Sequence, residues 1–249
     1  MGLGIIVVCH GSSHPLYQKT FSGFLGECQA ALSPWRLAGA QLEAGGIPLQ
    51  EQILRLAELW QAELLDHLVL LPLFMGGGVH VEEDLPQCLT AVGQRQPDWR
   101  LQWTMPLGQS PVIRELIRHK IRSTHQDEQI PILVGHGSRS PTFASYAQDL
   151  RQHLHTEFGD TTMVWLTQSP RLADYLSDWH PSRPIRLLPL FLLPGGILDQ
   201  IQLTCQQMML ERPGLTIHVD PALIPDPRVV MAVKQTVLAA LPPLKSTTP

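Results

Sequence analysis

At 249 residues, 44% of them hydrophobic and 16% charged, the chain has the composition of an ordinary globular protein, long enough for two modest domains or one large one. A formal net charge of −4 sets up no global basic field, which argues against nucleic acid as the main partner. The four cysteines, Cys9, Cys28, Cys88 and Cys205, form no C-x-x-C pair and read as reduced, buried thiols.

The opening "MGLGIIVVC" has no basic residues ahead of its apolar run, and the run is too short for a signal peptide or a membrane span. A soluble, cytoplasmic protein with no membrane partner is the expectation. Gly4 to Cys9 is a continuous run rich in Ile and Val, the pattern of a parallel strand buried on both faces. It ends in His10-Gly11-Ser12, and a helical segment follows from Tyr17 to Leu32. "LAGAQLE", Leu37 to Glu43, predicts a second strand, and "PLQEQILRLAELW" predicts a helix with Pro48 at an allowed first-turn position. "HLVLLPLFMGGGVH", His67 to His80, predicts a third strand running into the glycines Gly76 to Gly78. "RLQWTMPLG" supplies a fourth strand, and another helix ends the copy. The polar run Arg122 to Gln129 lacks apolar periodicity and predicts a seam.

Past the seam the order returns. "LVGHGSRSP", Leu133 to Pro141, restates "VVCHGSSHP", Val7 to Pro15, and a helical segment runs from Thr142 to Leu154. "TTMVWLT" matches the second strand and "PRLADYLSDW" its helix. "PIRLLPLFLLPGGIL", Pro184 to Leu198, shares Leu-Leu-Pro-Leu-Phe with the first copy, and "LTIHVDPALI" is its fourth strand. The tail "LPPLKSTTP" predicts a frayed terminus. Strand and helix alternating twice predict an α/β fold of two similar parallel-sheet lobes, residues 1–124 and 125–249, made by internal duplication with a cleft between them.

Ligands of open parallel sheets sit beyond the carboxyl ends of the strands. His10 falls there, and so does His80, so two imidazoles from neighbouring strand ends face one pocket in this reading. The alternative for His10 is a turn or capping residue. That alternative is weakened because His-Gly-Ser returns at His136. The glycines let backbone approach a flat ligand, or form only a loop. His80 beside Glu82, Glu83 and Asp84 suits a divalent metal or proton transfer. The same acids equally suit a helix N-terminus. His14 has no partner in the second copy, and the remaining histidines read as surface or structural. Pairing "GGVH" with "GGIL" puts Leu198 opposite His80. No G-x-x-x-x-G-K-[ST] loop, G-x-G-x-x-G turn or G-x-S-x-G elbow is present, which argues against ATP, dinucleotide and serine-hydrolase chemistry.

Together, His-Gly-Ser after the first strand, Glu43 after the second, and "PLFMGGGVHVEEDLP" resemble the class II tetrapyrrole chelatases, in particular the sirohydrochlorin chelatase family in its long, duplicated form. The resemblance spans nearly the whole chain. It implies a lyase that inserts a divalent metal, cobalt or iron (nickel in a related branch), into sirohydrochlorin without ATP, in sirohaem or cobalamin biosynthesis. The metal, Co2+ or Fe2+, would be a substrate, with no permanently bound cofactor. By the same resemblance His10 and His80 are catalytic and bind the metal. Ser12, Glu43, Met75, Gly76, Gly77, Gly78 and Val79 contact the tetrapyrrole. The chain departs from the family at Ile47, where an acid often precedes the proline of the second helix. A monomer is expected, with a dimer as the alternative. The rival readings are a non-catalytic tetrapyrrole or metal carrier, and a phosphoryl-transfer enzyme with His10 as nucleophile and Arg139 as its local cation.

Overall fold

Each buried strand sends alternate side chains to opposite faces, and this alternation organises the molecule. Strand β1 (Gly2–Cys9) turns Leu3, Ile5, Val7 and Cys9 into one hydrophobic cluster, and Ile6 and Val8 into another. The structure, a computed structural model, describes residues 2–43, 46–60, 65–177 and 182–241. The elements after β1 are α1 (Pro15–Leu32), β2 (Arg36–Gln41), α2 (Leu49–Trp60), β3 (Leu65–Pro72), α3 (Leu85–Arg95), β4 (Arg100–Trp103) and α4 (Pro111–Gln126). The second series is β5 (Ile130–Gly135), α5 (Pro141–Phe158), β6 (Thr162–Trp165), α6 (Leu172–Ser177), β7 (Ile185–Pro189), α7 (Gly196–Glu211), β8 (Ile217–Val219) and α8 (Pro227–Ala240). Residues 242–249 of the expected frayed tail, residues 178 and 179 of an expected helix, and His180 lie outside the described residues.

The strands form two parallel four-stranded sheets, ordered β2-β1-β3-β4 and β6-β5-β7-β8. In each sheet the chain reverses its direction of travel between the first and third strands of the copy. That switch point leaves a crevice at the carboxyl edge where a ligand is not blocked by a crossover. The expected α/β duplication is thus realised. Helices α2 and α3 cover the outer face of the first sheet, α6 and α7 that of the second. A single central cluster joins Ile5 and Val69 of the first sheet to Leu133, Trp165 and Leu188 of the second.

The layer between the sheets corrects the reading of the seam. Arg122 to Gln126 belong to α4, whose Ile113, Leu116, Ile117 and Ile121 are buried while Arg118 and Arg122 face Glu157 on α5. No apolar residue continues the stripe past Ile121; the one buried residue there is Thr124, whose hydroxyl donates to the Lys120 carbonyl. Helix α4 packs on β5 and β7, and α8 packs on α1 and β3. Lys120 Nζ donates to Asp220 Oδ2 at 2.9 Å, and Gln102 Nε2 donates to the Ala240 carbonyl at 2.8 Å. The two terminal helices are therefore exchanged, each closing the sheet of the other copy. Among the described residues no helix is long and apolar enough to cross a membrane.

Helix α8 is held at its start by Asp226, whose side chain accepts from the Arg228 N–H at 2.9 Å and pairs with the Arg228 guanidinium at 2.7 Å. Removing an N-cap of this kind costs about 1 kcal/mol, so Asp226→Ala should lower the melting midpoint by about 2–4 °C. The Arg228 guanidinium holds the Asp226 carboxyl below its ordinary value. Its stabilisation is therefore complete above the unfolded-state carboxyl range and is lost as pH falls through the folded-state value. Melting the wild type and the Asp226→Ala variant at several acidic pH values should show the difference between them shrinking; a constant difference would refute this role.

Candidate active site

Three side chains converge at the crevice of the first sheet. His10 follows the last residue of β1, so the strand period turns it to the face opposite buried Cys9. Glu43 lies beside it because the β1–β2 ladder runs on past both strands: the Glu43 N–H donates to the His10 carbonyl at 2.9 Å. His80 arrives from the loop after β3. One ligand atom from each of the three residues lies within 4.8 Å of the others, a spacing that a single metal ion could bridge. Nδ1 of His10 is 3.4 Å from Glu43 Oε2. The two imidazoles meet edge to face, their centroids 4.9 Å apart, and Phe74 stacks on His80 at 6.2 Å. Imidazole nitrogen and carboxylate oxygen together suit Fe(II) or Co(II).

The turn between His10 and α1 needs its glycine. Gly11 sits at φ 96°, where a side chain is strained, and its counterpart Gly137 at φ 90°. Ser12 Oγ accepts from the His14 N–H at 3.1 Å, and Ser138 Oγ accepts from Ser140 at 3.1 Å, so both copies build the same turn. Ser12 also lines the cleft. Supporting residues that sequence reasoning missed hold Glu43 in place. Gln52 Nε2 donates to the carbonyls of Gln41 and Ile47, both at 2.7 Å, bracing the chain on either side of the loop. Such glutamines carry no motif, and only the fold shows what they hold.

The cleft between the lobes has a volume of about 640 Å³ and largely apolar walls. Met75 to Val79 line it from the first lobe, and Leu192 to Ile197 from the second. Two of the glycines answer to the protein itself: a Cβ on Gly76 would press on the Tyr146 ring, and one on Gly77 on Thr142 and Glu82. Among the described residues no lysine or arginine lines the cleft. Arg139, the local cation of the phosphoryl-transfer reading, is not among the lining residues. Burial pushes the Cys9 thiol up to about 11, so beside the cluster it remains a protonated thiol and not a thiolate ligand.

The acids after His80 divide three ways. His80 to Asp84 form one π-helical turn ahead of α3, and Asp84 Oδ2 lies 2.6 Å from His80 Nδ1. Glu82 reaches across the cleft to the hydroxyls of Thr142 and Ser140. Glu83 is exposed. His14, without a counterpart histidine in the repeat, bonds through Nε2 to Asp199 Oδ2 of the second lobe at 3.0 Å.

Hydrogen-bond register corrects the pairing of the two glycine loops. Val81 and Glu82 donate to the Gly78 carbonyl, as Leu198 and Asp199 donate to that of Gly195. Gly78 thus matches Gly195, and the residue opposite His80 is Ile197, not Leu198. The shared "GG" misled because the second loop has Pro194 where the first has Gly77. Ile197 is 40% exposed toward the cleft whereas Leu198 is buried in the second lobe's core. Glu82 and Asp199 are then equivalent, and each ties its loop to the start of the opposite lobe's first helix. Thr167, whose N–H donates to the His136 carbonyl, stands where Glu43 stands in the first copy. The second copy of the cluster reads His136, Thr167 and Ile197.

Comparison with known proteins agrees with this double architecture. The sequence matches the CbiX family over residues 4–124 and again over 131–240. It is 22% identical over 213 residues to a sirohydrochlorin ferrochelatase of Priestia megaterium, covering 82% of this chain and 78% of that one. The fold is that of SirB from Bacillus subtilis with Fe3+, at TM-score 0.79 and 20% identity over 96% of this chain and 95% of the other. It also matches the cobalt complex of the sirohydrochlorin chelatase SirB from Bacillus subtilis subspecies spizizenii, at TM-score 0.76 and 19% identity over 96% and 94% of the two chains.

Proposed function

The chain belongs to the CbiX family, and from that premise we propose that it is a metallochelatase that inserts a divalent metal, cobalt or iron, into sirohydrochlorin without ATP. The convergence of His10, Glu43 and His80 at the edge of an apolar cleft carries the reading. The metal is a substrate here. His10 and His80 hold it through imidazole nitrogen, and the cleft walls take the flat macrocycle while its carboxylates reach solvent. As the ion enters the ring, two pyrrole N–H protons must leave, so that a dication replaces two protons. Glu43, with its side chain 60% exposed, receives them and passes them to water. Met75 to Val79 and Ser12 face the macrocycle in this arrangement. All three chelating groups come from the N-terminal half, and the second lobe closes over the substrate. A single chain supplies both walls, which supports a monomer. The ligand set does not discriminate cobalt from iron, so metal supply selects between them, and product serves sirohaem or cobalamin formation accordingly.

The test is anaerobic incubation of the purified chain with sirohydrochlorin and Co2+ or Fe2+, without nucleotide, followed by absorbance. Metallated product should accumulate over many turnovers. A stop at one equivalent would make the protein a carrier, and a requirement for ATP would overturn the assignment.

A further inference from the structure

Asp84 is the last residue of the π-helical turn that runs directly into α3, itself at helical φ −67° and ψ −43°. Its side chain caps no backbone N–H. Its Oδ2 lies instead 2.6 Å from His80 Nδ1, at the short end of the range for a charge-assisted hydrogen bond. The two residues are the first and last of the π-helical turn, closed by the Leu85 N–H donating to the His80 carbonyl. Such turns are rare and concentrate at functional sites.

An exposed His–Asp pair four residues apart on a helix would be a minor contact. This one differs because the imidazole is fixed on two further sides, by Phe74 stacked on it and His10 edge-on to it. It also belongs to the only group of three metal-ligating side chains found among the described residues. The neighbouring acid Glu82 is engaged across the cleft, leaving Asp84 alone to serve the ring.

We infer that Asp84 is a positioning residue for metal loading. It accepts the Nδ1–H of His80, which fixes the tautomer and ring orientation in which Nε2 offers its lone pair to the incoming ion. The inference rests on the chelatase reading but concerns the ion before the macrocycle. A carboxylate behind a ligating imidazole sets both its orientation and its strength as a ligand. Without that partner the ring can turn over and place a proton on the coordinating nitrogen, so fewer molecules are ready to accept metal. His10 is different, since its Nδ1 faces Glu43, itself a candidate ligand, at 3.4 Å. His80 is thus the rigid member of the site and the His10–Glu43 pair the adjustable one.

The experiment is an anaerobic titration of the full chain with Co2+ alone, read from the visible ligand-field bands of the bound ion, for wild type, Asp84→Asn, Asp84→Ala and His80→Ala. Asp84→Ala should weaken Co2+ binding about 10–100-fold and alter the bands. Asp84→Asn, which keeps an oxygen acceptor for Nδ1–H, should recover most of the loss. KM for sirohydrochlorin at saturating metal should stay within about twofold in both variants, because neither change touches the macrocycle. Asp84→Ala binding Co2+ as tightly as wild type, or Asp84→Asn binding as weakly as Asp84→Ala, would overturn the positioning role. If His80→Ala also kept wild-type affinity and bands, the metal-site reading itself would fail; a loss confined to His80→Ala would sink only the inference about Asp84.

Discussion

His10→Ala and His80→Ala should each lower turnover in metal insertion by about 10²–10⁴-fold, the usual contribution of a positioned acid–base or ligating group, equal to roughly 3–5 kcal/mol of barrier. Each removes one nitrogen from a cluster of three candidate ligands, and no other His, Cys, Asp or Glu among the described residues completes such a group. The internal repeat supplies the control. His136 lies at the matching strand end and lines the same cleft. Its neighbours, however, are Thr167 in place of Glu43 and Ile197 in place of His80. A hydroxyl and a hydrocarbon do not reproduce a carboxylate and an imidazole as metal ligands, so a lone histidine remains. His136→Ala should therefore leave kcat nearly intact and act, if at all, through KM. Steady-state kinetics with sirohydrochlorin and Co2+ would check both halves. Turnover falling as far in His136→Ala as in His80→Ala would refute a single working site.

Gly108→Ala should destabilise the protein by about 1–3 kcal/mol, the cost of forcing a methyl into packed structure, and should reduce kcat/KM as well. Gly108 lies in the 3-10 turn Leu107–Gln109, and its N–H donates to the Phe74 carbonyl at 2.9 Å. A Cβ there would fall on the backbone of Met75, including its carbonyl oxygen. Backbone cannot swing aside as a flexible side chain can. The glycine also cannot retreat without losing its bond to Phe74, the residue stacked on His80. The displaced segment is thus the start of the loop that carries His80. Gly23 is the contrast: it is exposed in the middle of α1, and a Cβ there would meet nothing within 4 Å. Gly23→Ala should raise stability by about 0.5–1 kcal/mol through helix propensity. Thermal melts of the two variants should shift in opposite directions; a shift of the same sign in both would refute the clash at Met75.

The elements themselves were legible because their signals are local. Ile5 to Val8 and Leu68 to Leu71 are buried on both faces of a parallel sheet, and such strands write continuous apolar runs. The repeat was legible for the same reason, since each copy needs the same strand ends and the same Gly11 or Gly137 turn. The predicted seam began at Arg122, because the last five residues of α4 are all polar and the apolar stripe stops at Ile121.

The chain by itself therefore determined the duplicated α/β plan and pointed to His10 and His80 as chemical candidates, with Glu43 added by the family resemblance. A strand end fixes where its next side chain points, whatever the rest of the molecule does. Tertiary structure alone decided what depends on how the two copies meet: the exchange of α4 and α8, the reach of Glu82 to Thr142 and of Asp199 to His14, and the register that sets Ile197 opposite His80. Those two side-chain pairs lie 60 and 185 positions apart along the chain. Their contacts follow from the relative placement of two sheets around one shared core, which no local pattern of hydrophobicity or turn residues encodes.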